Sequence, residues 1–135
     1  MKLSIEERNS VVLYRVEKSK KTLKEIEELI PLCQWNTIAN RLYYCAYYMV
    51  SALLIKNGYL SHTHAGVKTL FALHFIKTGI LPNDAFHFYM TLFDYRLKGD
   101  YDDFFDLNEK QILPLIEPIK EFIIEMEKLI SEDIK

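Results

Sequence analysis

The chain has 135 residues, of which 50% are hydrophobic and 27% are charged. This length suits one domain, residues 1–135, with a core that needs no metal or disulfide support. A formal net charge of −2 gives no general attraction to nucleic acid, and two cysteines make neither a disulfide framework nor a zinc site. No apolar stretch reaches the roughly 18 residues of a membrane span, and Glu6 and Glu7 stand where a secretory signal would be apolar. We therefore expect a cytoplasmic protein.

Turn-forming residues are scarce, since the sequence has four glycines and four prolines. This composition disfavours an all-β fold. Apolar residues recur with helical spacing in five segments, which cover about 4–30, 37–56, 61–78, 82–98 and 108–131. We find no alternating strand pattern and no Asn-Gly hairpin turn, so the sequence predicts an all-α, up-and-down bundle of about five helices.

The first two segments are expected to form an antiparallel pair. Ser4 and Glu7 have the spacing of a capping box at the start of the first helix, and Pro31 ends that helix. The turn that follows Pro31 is short, so the second helix should return alongside the first. The second segment is apolar on nearly all sides, which predicts a central, buried helix. Cys45 lies in this apolar run, where a thiol usually behaves as a small hydrophobe.

Glycine and proline set the expected limits of the last three helices. Gly79 and Gly99 are expected to end the third and fourth helices. Pro114 and Pro118 fall early in the fifth segment, where an interior proline removes a backbone hydrogen bond. We expect either a kink there or a true helix start near Pro114.

An arginine inside the most apolar helix is unusual, because desolvating an unpaired charge is expensive. Asn40 and Arg41 lie in that helix, and Arg41 shares a face with Tyr44 and Tyr48. One interpretation is a buried Arg41 that pairs with an aspartate from another helix and holds the helices in register. The other is an arginine that lines a cleft for phosphate, beside tyrosine rings on which bases could stack.

Residues 95–101 read Tyr-Arg-Leu-Lys-Gly-Asp-Tyr. Arg96 and Asp100 would lie one turn apart and could pair if the helix continued, whereas a helix that ends at Gly99 leaves Arg96 and Lys98 at a favourable C-terminus. Acidic residues crowd the same place: Asp100, Asp102, Asp103 and Asp106. They could favour the start of the next helix, or their repulsion could raise a pKa or attract a divalent cation.

Residues 61–67 are expected to open the third helix, with Ser61 or Thr63 as the N-cap. The unpaired N–H groups of such a helix start could bind an anion; the alternative is a simple cap, with Gly66 permitting close helix packing. His62 and His64 are two residues apart and do not share a helical face, so we expect no metal site. No phosphate-binding glycine loop is present, and we expect no cofactor.

Four motifs follow one another along the chain. They are Asn-Arg-Leu-Tyr-Tyr-Cys-Ala-Tyr-Tyr at 40–48, Ser-His-Thr-His-Ala-Gly-Val at 61–67, Phe-Ile-Lys-Thr-Gly at 75–79 and Arg-Leu-Lys-Gly-Asp-Tyr at 96–101. In this order they resemble the HEPN superfamily, and more narrowly its small stand-alone prokaryotic members. The resemblance implies a bundle of about five helices and a homodimer with a cleft between protomers. It also implies a metal-independent ribonuclease, a toxin paired with a small nucleotidyltransferase, or a non-catalytic binding module.

The sequence departs from the nuclease signature of that superfamily, which is Arg, four to six residues, then His. No His lies within six residues after Arg96. In such a site the His moves a proton while the Arg holds the phosphate. Asp100 could act as a base instead, or His64 could supply the imidazole from another helix. Some toxin members place a Tyr just after the His, which the partner enzyme modifies, and Tyr101 occupies a loosely similar position.

Three functions follow from this sequence. The first is a HEPN-type module that binds nucleotide or RNA through Arg96 and partners a nucleotidyltransferase. Its expected binding residues are Asn40, Arg41, Tyr44, Lys98 and Tyr101. The second is a ribonuclease toxin that uses Arg96 with Asp100 or His64. The third is a dimerising helical module without chemistry, in which Arg41 and Arg96 pair with Asp94, Asp100 or a neighbour.

Overall fold

The computed structural model describes residues 3–102 and 106–132. Asp103, part of the acidic segment singled out in the sequence, lies outside the described residues. Within the two ranges the helices are α1 (Ile5–Leu29), α2 (Trp35–Lys56), α3 (His64–Phe71), α4 (Asn83–Tyr101), α5 (Glu109–Ile112) and α6 (Ile116–Ser131). No residue of these ranges lies in a β-strand. The predicted all-α fold is therefore confirmed.

Helix α1 begins with the predicted capping box. The Ser4 hydroxyl accepts a hydrogen bond from the Glu7 amide at 3.1 Å, and the Glu7 carboxylate accepts one from the Ser4 amide at 3.0 Å. A 3₁₀ turn over Ile30–Leu32 contains Pro31 and ends the helix. Cys33 follows with φ of 55°, a left-handed conformation that redirects the exposed chain into α2.

Helix α2 is the centre of the bundle. Thirteen of its 22 residues are buried, and it packs against α1, α4 and α6. The predicted central helix is thus confirmed, although it begins at Trp35 rather than near Thr37. At the crossing with α1 the Ser19 hydroxyl donates to the Cys45 carbonyl at 2.7 Å. The Cys45 side chain is fully buried, and burial raises the pKa of this thiol to about 12.

Helix α3 is shorter than the sequence suggests. It begins after Thr63, whose hydroxyl accepts from the Gly66 amide at 2.9 Å. The α-helix ends at Phe71, and a π-helical turn over Ala72–Ile76 carries the chain to the turn at Gly79. A Cβ at Gly66 would lie 1.9 Å from the Ser61 hydroxyl oxygen. Gly66 therefore makes room for its own capping loop, rather than for another helix as expected.

Helix α4 corrects one prediction, because it continues through Gly99 to Tyr101. Gly99 acts here by its small size. A Cβ at this position would lie 3.2 Å from Leu107 Cδ1 and 3.5 Å from Asn36 Cα. The missing side chain lets α4 approach the start of α2 closely. The extra turn also carries Asp100 and Tyr101 onto the helix that presents Arg96.

The fifth predicted segment is interrupted at its first proline, as expected. Helix α5 is followed by a 3₁₀ turn over Leu113–Leu115, and α6 starts at Ile116. Pro118 falls in the first turn of α6, where a backbone N–H would have no helical partner in any case. At the other end, Lys56 Nζ donates to the carbonyls of Ile130 and Glu132 and so joins the end of α6 to that of α2. No helix in the described ranges combines the length and apolar character needed to cross a membrane.

Candidate functional site

An aromatic cluster lies where α2, α4 and the first residue of α3 meet. Its members are Tyr43, Tyr44, Tyr47, Tyr89 and Phe93. Tyr43 is at the centre, with ring centroids 5.2 Å from Tyr44, 5.7 Å from Tyr89 and 5.5 Å from Phe93. Burial raises the pKa of Tyr43 to about 12, so its hydroxyl stays protonated at neutral pH.

Arg96 of α4 is inserted into this aromatic cluster and is only 7% exposed. Its guanidinium carbon lies 4.9 Å from the centre of the Tyr43 ring and 5.7 Å from that of Phe93. Its Nη1 donates to the Tyr44 hydroxyl at 3.1 Å. Among residues 3–102 and 106–132 no carboxylate forms an ion pair with it, which contradicts the expected partners Asp94 and Asp100. The rings supply electrostatic attraction to the cation, but no countercharge.

Two buried polar atoms of this region lack partners. Arg96 Nε and the Tyr89 hydroxyl oxygen are inaccessible, and neither makes a hydrogen bond within the described chain. Unsatisfied buried polar groups are rare in folded proteins, because each loses its hydrogen bonds to water. Both orphaned atoms belong to side chains that contact Tyr43. This clustering of unsatisfied donors marks the region as a candidate site.

His64 reaches the same aromatic cluster from a different helix. It is the first residue of α3, and its Nδ1 lies 2.7 Å from the Tyr43 hydroxyl. Its ring centroid lies 4.8 Å from that of Tyr47. Burial, and then the positive charge of Arg96, hold the pKa of His64 below its usual value. The structure therefore brings together His64 and Arg96, which are 32 positions apart in the sequence, around Tyr43 and Tyr44.

Asp100 pairs with Asn40 and not with Arg96. Asn40 Nδ2 donates to Asp100 Oδ2 at 2.9 Å, which joins α2 to the last turn of α4. The Asn40 side-chain oxygen accepts two hydrogen bonds from Arg41, at 3.0 Å from Nε and 2.8 Å from Nη2. Asn40 thus orients both a carboxylate and a guanidinium at the rim of the site.

Arg41 is not the buried strut that one interpretation of the sequence required. Its side chain is 28% exposed, and the nearest carboxylate oxygen, from Glu25 of α1, lies 3.9 Å from Nη1. The guanidinium carbon lies 5.3 Å from the centre of the Tyr44 ring. Arg41 therefore forms part of the rim, where Glu25 offsets part of its charge.

Tyr101 and Lys98 lie at the C-terminal end of α4. Tyr101 is 70% exposed, and the centre of its ring lies 5.9 Å from the Arg96 guanidinium carbon. It borders an open groove of about 510 Å³, whose lining residues are Asn36, Thr37, Asn40, Gly99, Asp100 and Tyr101. Lys98 is exposed and does not line this groove.

Four members of the aromatic cluster are not among the site residues that the sequence predicts, namely Tyr43, Tyr47, Tyr89 and Phe93. A signal was present on α4, since Phe93 and Tyr89 precede Arg96 by three and seven residues and share its face. No group of three or more metal-ligating side chains occurs among the described residues.

The fold and this site define a small all-α domain that holds an arginine and a histidine in a tyrosine-rich cluster. The HEPN domain family model matches residues 12–129. The chain belongs to the HEPN family, as the resemblance of its motifs implied.

Relatives of known sequence or structure agree with this assignment. A UPF0332 protein of Thermotoga maritima is 31% identical over 129 residues, which cover 96% of this chain and 97% of that protein. A protein of Methanocaldococcus jannaschii named "Putative toxin MJ0142" is 31% identical over 120 residues, covering 88% of this chain and 82% of the relative. The crystal structure of TT1696 from Thermus thermophilus has a TM-score of 0.73 at 13% identity, covering 87% of this chain and 97% of that one, and shares the fold.

The lowered pKa of His64 predicts a specific pH dependence of stability. Between the usual histidine pKa of about 6.5 and the lower folded value, the unfolded chain binds a proton that the folded chain does not. The free energy of unfolding should therefore fall as the pH is lowered through this window. Urea denaturation at about pH 7.5 and about pH 5.5 measures the effect.

The control for this prediction is a neighbouring histidine. We expect His64→Gln to reduce the loss of stability at the lower pH, while His62→Gln, at an exposed position two residues away, retains it. Equal pH dependence in all three proteins would show that the environment of His64 does not disfavour its protonation.

Proposed function

We propose that this HEPN protein binds nucleotide or RNA, with a phosphate at Arg96, and that it is one member of a toxin–antitoxin-like pair whose other member is a nucleotidyltransferase. The observation that carries the binding proposal is the buried Arg96, which has no carboxylate partner in the described chain. A guanidinium held in this way lacks the countercharge that buried cations normally require. A phosphate would supply that charge and accept the unused hydrogen bonds.

The surrounding groups suit the rest of a nucleotide. The exposed ring of Tyr101 and the half-buried ring of Tyr44 offer faces on which a base can stack. Arg41 at the rim adds a second cation, and it is hydrogen-bonded to Asn40, which lines the groove. Lys98 adds positive charge at the same end of α4. These are the binding residues expected from the sequence, and we retain that assignment as part of the proposal.

The proposed nucleotidyltransferase partner is supported by sequence similarity to other proteins. The M. jannaschii relative carries a name that describes it as a toxin candidate, and the HEPN resemblance implies a nucleotidyltransferase partner and a homodimer. The exposed Tyr101 would then be the residue that the partner modifies. Its phenolic oxygen would attack the α-phosphorus of a nucleoside triphosphate and release pyrophosphate. The attached nucleotide would lie beside Arg96 and block the site.

The binding proposal predicts that Arg96→Met loses affinity for short single-stranded RNA by about 10- to 100-fold, as expected for removal of a charged hydrogen-bond donor. The same variant should be at least as stable as the parent, because it replaces a buried unpaired charge by an apolar side chain. Fluorescence anisotropy and urea denaturation measure the two effects. Arg8→Met, near Gly58 at the far end of α2, serves as the charge-matched control.

The two readouts separate this function from a purely structural one. Stability that falls by several kcal/mol in Arg96→Met, with unchanged RNA affinity, would mean that Arg96 is an internal strut, since a broken buried pair has a cost of about this size. The binding proposal would then be wrong.

The pairing proposal predicts that a nucleotidyltransferase encoded beside this gene adds a nucleotide to Tyr101. Mass spectrometry of the co-expressed pair should show one added nucleotidyl group in the parent and none in Tyr101→Phe. Tyr59→Phe is the matched control, since Tyr59 is partly exposed, stacks on His74 and does not line the groove, and it should be modified like the parent. Modification that persists in Tyr101→Phe would place the target elsewhere.

A second candidate function is a metal-independent ribonuclease, and the position of His64 favours it. The sequence lacks the expected His after Arg96, but the fold brings His64 to the same two tyrosine rings. A pKa held below the usual value keeps the imidazole neutral at pH 7, the form that accepts a proton from a ribose 2′-hydroxyl. Arg96 would stabilise the negative charge that develops on the phosphate.

This second candidate predicts RNA cleavage in the presence of EDTA. Replacing His64 by Gln should reduce the rate by about 10²-fold or more, the usual contribution of a general base. His62→Gln is the matched control and should cleave at the parental rate. Purified parent that leaves RNA intact, while still binding it, would exclude this function and leave the binding module.

A further inference from the structure

A row of paired side chains follows the line where α1 and α2 lie side by side. Arg15 Nη1 donates to the Ser51 hydroxyl at 3.0 Å, and Lys18 Nζ lies 5.0 Å from the centre of the Tyr48 ring. These contacts are in register for an antiparallel helix pair, because Lys18 follows Arg15 by three residues on α1 and Tyr48 precedes Ser51 by three residues on α2. They form one stripe on the surface of the helix pair.

We name Tyr14, Arg15, Lys18 and Tyr48 the cation–tyrosine seam. Lys18 bridges its two rings, since its Nζ also lies 5.5 Å from the centre of the Tyr14 ring. The seam is continuous with the candidate site. The Tyr48 ring centroid lies 6.0 Å from that of Tyr44, and Tyr44 accepts the hydrogen bond from Arg96.

We propose that the cation–tyrosine seam is a binding track for single-stranded RNA, which continues over α1 from the nucleotide bound at Arg96. This inference rests on the proposed function and extends it to the polymer. Tracks of this kind combine cations for the backbone phosphates with aromatic faces for the bases. The seam has both, at spacings of 5.0 to 6.0 Å between successive groups.

The charges of the seam are available to a polyanion. Arg15 is bonded to a neutral hydroxyl, and Lys18 forms no ion pair with a carboxylate in the described chain. Arg41 extends the row, but Glu25 lies 3.9 Å from it and offsets part of its charge, so we leave Arg41 outside the track. Because the net charge of −2 gives the protein no general attraction to RNA, any attraction has to come from a local arrangement of cations such as this one.

The exposure of Tyr14 also fits a ligand better than a role in the core. This ring is 59% exposed, and a lysine over an exposed ring adds little to folding stability. A base that stacked on Tyr14 would bury the ring, while Lys18 turned from the ring to a phosphate. Such exchange requires no movement of the helices.

The test compares two ligands of different reach, a uridine dinucleotide and a single-stranded oligouridylate of about ten nucleotides, which exceeds the smallest site sizes known for such tracks. Tyr14→Ala should lower the affinity for the longer RNA by about fivefold or more, because fivefold is the lower limit for losing one stacked base. Lys18→Gln should lower the slope of log affinity against log salt by about 1. Neither variant should change the affinity for the dinucleotide.

Two substitutions on the same helix serve as matched controls. Lys20→Gln removes an equal charge from the side of α1 that meets α6, where Lys20 pairs with Glu127 at 2.6 Å. Leu13→Ala shortens an apolar side chain that is 60% exposed beside Tyr14. Both controls should bind the two ligands like the parent.

The outcomes separate the track from the function on which it rests. If the parent binds neither RNA, the proposed function fails and the track fails with it. If Arg96→Met loses both ligands while Tyr14→Ala and Lys18→Gln keep full affinity for the longer one, only the track is wrong. A seam variant that alters the sedimentation coefficient and leaves RNA affinity unchanged would make this stripe an interface between copies, and would also overturn the proposal.

Discussion

The contact of Arg96 with Tyr43 and Tyr44 connects most of what is distinctive in this molecule. It ties α4 to the central helix α2 through one hydrogen bond and several ring faces. Because the guanidinium has no carboxylate partner in the described chain, its burial is offset by this hydrogen bond and by attraction to the aromatic rings, without a countercharge. A domain stabilised mainly by apolar packing around α2 can tolerate such a group. The guanidinium of Arg96 therefore remains without a countercharge where α2, α3 and α4 meet.

Two glycines act at a distance from this charge and help to place the groups around it. Gly66 gives the capping loop of α3 room to fold over the first helical turn, which sets the position of His64. Gly99 lets the last turn of α4 lie against Asn36 of α2, which brings Asp100 within reach of Asn40. Both act through the space that a side chain would have filled. Their contribution to the site is therefore geometric.

The sequence predicts the local features of this fold well and the long-range ones less well. The capping box at Ser4, the central position of α2 and the interruption near Pro114 depend on neighbouring residues, and the structure has all three. The predicted end of α4 at Gly99 is wrong, because Gly99 permits close packing of α4 against α2. No local sequence pattern reveals that contact. The aspartate partners that one interpretation gave to both arginines are not found in the described chain. Arg41 is bonded to Asn40 and lies near Glu25, and Arg96 contacts tyrosine rings and a tyrosine hydroxyl. His64 was recognised as a candidate, but only the packing of α3 beside Tyr43 places it near Arg96.

The two cysteines differ in exposure, so that a thiol reagent can label one of them selectively. Cys45 is fully buried with a thiol pKa raised to about 12, so it stays protonated and unreactive toward alkylating reagents at neutral pH. Cys33 is exposed at the turn before α2, three residues from Asn36 at the wall of the groove. A thiol-directed fluorophore would therefore attach at one position without any engineered substitution. Its emission would respond to whatever occupies the groove, in the unaltered chain and in real time.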